Sequence, residues 1–141
     1  MAMGKINLGR VILGGLLAGL VINISEAILN IVVVGAQMEE LLKARNMPPI
    51  GGSEIATFVL LGFILGIVTI WLYAAIRPRY GAGPGSAIMA GLIVFFLAYL
   101  YPNAGLTVMG FMTGSMMLII DVWGLVEILV AAVAGAWLYR E

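Results

Sequence analysis

The amino-acid sequence predicts an all-α integral membrane four-helix bundle, a single transmembrane domain over residues 1–141. Three observations predict it. The chain is 63% hydrophobic and only 10% charged, with a mean hydropathy of +1.15, whereas a soluble domain carries roughly a quarter charged residues. Four apolar stretches approach the about 20 residues needed to cross the hydrocarbon core of a bilayer. Short segments rich in Pro, Gly and Asn separate them, and almost no length remains for a soluble domain.

Span 1 is expected over residues 8–34. Lys5 and Arg10 before the run Val11 to Ile22 imitate a secretory signal. No small-residue cleavage site follows, and the apolar pattern continues through Ile31 to Val34, so a retained span is expected. The segment Gln37 to Arg45 is amphipathic and helix-favouring; it either prolongs span 1 or lies on the membrane surface. Asn46 to Gly52, with Pro48 and Pro49, stops any helix. Ser53 is the expected N-cap of span 2, with Glu54 favourable at the positive helix end.

Span 2 is expected over residues 55–76, with Trp71 and Tyr73 at an interface. Arg77-Pro78-Arg79-Tyr80-Gly81 then reads as a turn. Span 3, residues 86–101, is the shortest, and Pro102-Asn103-Ala104-Gly105 ends it. An apolar, Gly- and Met-rich connection leads to span 4, residues 115–139.

Basic residues set orientation. Lys5, Arg10, Arg77, Arg79 and Arg140 fall on one side of four spans, against Lys43 and Arg45 on the other. Both termini are therefore expected to be cytoplasmic, in a cell (inner or plasma) membrane. The chain has no Cys and no His, which excludes disulfides, thiol catalysis, Cys/His zinc sites, His-ligated haem and a Ser-His-Asp hydrolase. Net charge is zero and no basic patch suits nucleic acid. No cofactor and no enzymatic activity are expected.

Small residues recur one turn apart: Gly15 and Gly19, Gly14 and Ala18, Gly62 and Gly66, Ala87 and Gly91, Ala131 and Gly135. Such pairs let helix backbones approach closely. They serve packing inside one bundle or, alternatively, a homodimer face. Expected partners are membrane lipids and either further copies of the chain or other membrane subunits.

Three acids interrupt the apolar spans: Glu26, Asp121 and Glu127. A carboxylate in hydrocarbon is costly and is rarely left without a partner or a task. At a rise of about 1.5 Å per residue, Glu26 lies about 12 Å inside the end of span 1, and Asp121 about 10 Å inside the start of span 4. These two share a level, Glu127 is deeper, and Asp121 is the acid nearest a wetter boundary. Asn23, Glu26 and Asn30 fall within about 60° of one another and form a polar stripe on span 1. Asp121 and Glu127 differ by about 120°, so only one faces span 1 directly. Gly124 lies one turn from each and leaves room for a neighbour or a small ligand. No basic residue stands near these acids in the spans, since Arg10 lies at the opposite end of span 1. The acids are then either protonated donors that lock helices together or groups that exchange a proton for a cation.

Two further signals are weaker. Met109, Met112 and Met116 present thioethers at helical spacing, which suits Cu(I), though Met is commonly an apolar filler. Arg77 and Arg79, before a helix start near Ser86, suit a lipid phosphate, or serve only as topology signals.

The stretch Trp71-Leu72-Tyr73-Ala74-Ala75-Ile76-Arg77-Pro78-Arg79-Tyr80-Gly81, with Asn23-Ile24-Ser25-Glu26 and the ending Trp137-Leu138-Tyr139-Arg140-Glu141, resembles a group of small uncharacterised bacterial four-span membrane proteins. That resemblance covers most of the chain and implies a fold without an activity. Small size, short loops and many close-packing faces lead to the expectation of an accessory or scaffold subunit of a larger membrane complex or homo-oligomer. The alternative is a small proton- or cation-coupled transporter or channel using the intramembrane carboxylates.

Overall fold

A computed structural model describes residues 4–141, which are helical throughout apart from short connections. Helix α1 (Leu8–Ile28) passes into a wider π-turn (Leu29–Val33), then α2 (Gly35–Ala44). Next come α3 (Gly52–Tyr80), α4 (Pro84–Phe95), a second π-turn (Phe96–Leu100), α5 (Tyr101–Val108) and α6 (Gly114–Leu138). Four helical segments are long and apolar enough to cross a membrane: Leu8–Val33, Gly52–Tyr80, Pro84–Val108 and Gly114–Leu138. They run up-down-up-down, with α1 packed on α3 and α6, and α4 packed on α6 and α3.

The small-residue faces are used inside this bundle. A Cβ at Gly66 would run into the backbone of Gly15 and Gly19, and one at Gly14 into the carbonyl of Gly135. Ala18, Ala87 and Ala131 are fully buried. Backbones therefore touch where larger side chains would hold the helices about 8–10 Å apart. Most of the core is a cluster of these alanines with Val11, Ile22, Ile70 and Ile128. A second cluster, Leu29, Val34 and Met116 with Met38, Leu41 and Trp123 at its edge, closes the other end. The outer surface is apolar, with Leu16, Leu20, Leu60, Val122 and Val126 exposed. Monomeric soluble proteins rarely present contiguous apolar surface of that extent.

Several boundaries differ from those the sequence suggests. Gly51, not Ser53, caps α3, and Glu54 Oε2 accepts the Gly51 N–H at 2.9 Å. Helix α3 continues through Arg77 and Pro78 to Tyr80 and ends at Gly81, whose φ of +92° suits only glycine. The third span continues past Pro102 to Val108. A proline lacks an N–H and crowds the carbonyl four residues back. The wider turn at Phe96–Leu100 gives Pro102 room, so the chain stays helical. Thr113 caps α6, accepting from Met116 N at 3.2 Å. The amphipathic segment is a separate helix, α2, set off by a break at Val34.

The two chain ends meet. Asn7 N–H donates to the Tyr139 hydroxyl at 3.2 Å, and Arg77 pairs with Glu141 at 3.6 Å while its guanidinium lies 5.3 Å from the Tyr139 ring centre. At the opposite end Arg45 Nη2 donates to the Gly110 carbonyl at 2.7 Å and lies over Phe111.

Candidate functional site

Polar groups from three helical segments converge between the two apolar clusters. Helix α1 supplies Ser25 and Glu26, with Asn30 from its π-turn. The second π-turn supplies Tyr99, and α6 supplies Trp123 and Glu127. Asn30 Nδ2 donates to the Glu26 carbonyl at 2.8 Å and to Glu26 Oε2 at 3.0 Å. The Tyr99 hydroxyl donates to Glu127 Oε2 at 2.6 Å, and Trp123 Nε1 donates to Ser25 Oγ at 2.8 Å. The Glu26 carboxyl lies beside that of Glu127. Both π-turns thus deliver a polar side chain to one carboxyl pair, in keeping with the frequent placement of such turns at functional sites.

The pairing follows from helix geometry. The Trp123–Ser25 contact sets Glu26 near the level of Val122. Side chains on a helix tilt toward its N-terminus. On antiparallel helices they tilt toward each other's level, so Glu26 reaches along α1 and Glu127 reaches back along α6 until they meet. Glu127 is 4% exposed, and its Oε1 is buried without a donor. A proton on either carboxyl supplies the missing hydrogen bond. The two ion pairs among the described residues, Lys43–Glu39 and Arg77–Glu141, involve neither acid.

No family model, curated protein or solved structure matches the chain. The functional argument therefore rests on this site alone.

The other sequence-selected residues lie elsewhere. Asn23 turns away from Glu26, donating to the Val59 carbonyl at 3.1 Å across the face of Gly62. Asp121 faces the third span, where Asn103 Nδ2 donates to its Oδ1 at 2.7 Å. It is 7% exposed and its Oδ2 has no donor, so the wetter setting expected for it is not found. The space beside Gly124 holds the Tyr99 ring rather than a ligand: a methyl there would lie 2.5 Å from Tyr99 Cδ1.

Arg77 and Arg79 do not form a joint phosphate clamp. Because α3 runs through Pro78, the two stand two residues apart on a helix and face opposite ways. Arg77 engages Glu141 and Tyr139, and Arg79 is exposed. Met112 and Met116 line a pocket of about 200 Å³ together with Met38 and Met47, whereas Met109 stands outside it and is exposed. Arg45 lines the same pocket, a poor neighbour for a copper ion.

Tyr99, Ser25, Trp123 and Asn103 were not singled out as site residues from sequence. The available signal was a hydroxyl or amide within an otherwise apolar run, and that signal does not say toward which helix it turns.

Proposed function

We propose that this chain is a multi-pass integral membrane protein that exchanges a proton for a cation at the Glu26–Glu127 pair. The observation that carries this reading is the meeting of the buried Glu127 carboxyl with the half-buried Glu26 carboxyl of another helix, with no basic partner among the described residues. Two like charges side by side in such a site repel, and a proton or a cation placed between them relieves that cost. A cation of suitable shape replaces that proton, and Asn30 and Tyr99 hold the carboxyls in place during the exchange. The distribution of Lys and Arg supports both termini facing the cytoplasm of a cell membrane.

The test is reconstitution into vesicles with a pH indicator inside. An imposed gradient of inorganic or organic cations is expected to change internal pH for the wild type and not for Glu26→Gln or Glu127→Gln. Equal responses from wild type and both variants would remove the reading.

One observation favours the other expectation, an accessory or scaffold subunit. Every residue of α3 from Gly52 to Leu61 is exposed, including Phe58, Leu60 and Leu61. A face of that extent fits against further membrane helices as well as against lipid. Native mass spectrometry after gentle solubilisation separates the two, since a stable assembly of this chain alone counts against an accessory role.

A further inference from the structure

A groove of about 640 Å³ runs between α1 and α6 and opens on the flank of the bundle. Its walls are apolar, with Val21 on one side and Leu118, Val122, Val126 and Val130 on the other. Among the described residues its polar lining consists of Ser25, Trp123 and Glu127. The volume lies within the range of about 300–1,000 Å³ that accommodates small organic ligands. From Leu118 to Val130 the groove follows α6 for about 18 Å. Glu127, whose Oε1 is buried without a partner, is the one ionisable group on that lining among the described residues.

Two kinds of occupant fit this lining poorly. A small inorganic cation needs several oxygen ligands to replace its water. On the groove lining it would find the Glu127 carboxyl and the Ser25 hydroxyl among hydrocarbon walls. An uncharged chain would fill the walls and leave the acid unpaired. A cation carried on an apolar body satisfies both parts, with its carbon against the valines and its charge at Glu127, beside the Trp123 indole.

We propose that the groove binds a cationic amphiphile, an ammonium on a hydrocarbon body, which reaches Glu127 sideways from the apolar surroundings of the bundle. This rests on the proton–cation reading of the same acids. The ligand ammonium displaces the shared proton, so charge at the site is conserved. The titratable groups that face Glu127 are Glu26 from α1 and Tyr99 from the second π-turn. Among the described residues α3 contributes none.

The experiment follows the Trp123 indole N–H resonance of the full chain in micelles, titrated with octylammonium, octanol or octanoate. Octylammonium is expected to shift it saturably, and the other two are not. Binding should weaken by about tenfold or more in Glu127→Gln, the loss expected for one partner of a buried charge pair. It should also weaken at acid pH. Val122→Trp fills the groove from an exposed position that the acids do not touch. It should block binding while leaving the helical circular-dichroism signal unchanged.

Equal shifts by octanol, or binding unaffected by both substitutions, would overturn the proposal. So would vesicle proton movement driven by inorganic cations with no octylammonium binding, an outcome that spares the exchange reading. Glu127-dependent binding without proton movement in vesicles would keep the ligand class and remove the exchange.

Discussion

Glu26 of α1 and Glu127 of α6 present their carboxyls to one another although 100 residues of sequence lie between them. Each is held by a different π-turn, Glu26 through Asn30 and Glu127 through Tyr99. The supports of this pair and of the surrounding bundle lead to four expectations.

Removing the Tyr99 hydroxyl takes away the 2.6 Å hydrogen bond that Glu127 Oε2 accepts, in a residue whose other oxygen is buried without a partner among the described residues. Tyr99→Phe should destabilise the protein by about 1–3 kcal/mol, the cost of a buried group left without its partner. Equilibrium unfolding in mixed micelles measures this. Glu127→Gln should cost less, because a neutral amide is cheaper to bury and still accepts from Tyr99.

Close backbone contact predicts opposite outcomes at two glycines. Gly66→Ala places a methyl against the backbone of Gly15 and Gly19, where neither helix yields without moving. A loss of about 1–3 kcal/mol is expected from overpacking. Gly105→Ala meets nothing within 4 Å and lies inside α5. It should be neutral or stabilising by up to about 1 kcal/mol through helix propensity. Unfolding of the two variants under one set of conditions checks the pair.

Trp123 makes a part-buried hydrogen bond to Ser25, whereas Trp71 and Trp137 are exposed. Ser25→Ala should leave the part-buried indole N–H without its acceptor and cost about 0.5–1.5 kcal/mol. The emission of a Trp71→Phe/Trp137→Phe background, which isolates Trp123, should change with that substitution. An unchanged spectrum would place the indole elsewhere.

On α2 the Glu39–Lys43 pair, 2.8 Å apart, is solvent-exposed. The Lys43 hydrogen bond and charge hold Glu39 below its ordinary value. A carboxylate lowered on folding contributes stability above the ordinary carboxylate range, and that contribution fades as pH falls through the folded value. A carboxyl NMR titration should show Glu39 returning toward the ordinary value in Lys43→Ala. Overall stability should barely change, since exposed pairs contribute little.

The sequence makes the four long helices legible because apolar length is a local property. The short connections are less so. Pro78 and Pro102 read as breaks, yet α3 and the third span run through them, one near a helix end and one after a widened turn. Local propensity reports the cost of proline in a regular helix and carries no information on where the helix relaxes to fit it.

The candidate site divides along the same line. Hydropathy and spacing alone single out Glu26, Asp121 and Glu127 as costly acids and show that the last two face different ways. Only tertiary structure decided that Glu127 meets Glu26 while Asp121 meets Asn103, and that Tyr99 fills the space beside Gly124. The physical reason is that contacts such as Gly14 on Gly135 and Gly66 on Gly15 set the rotation and register of each helix. Those contacts belong to pairs of helices, and no single helix encodes them by itself.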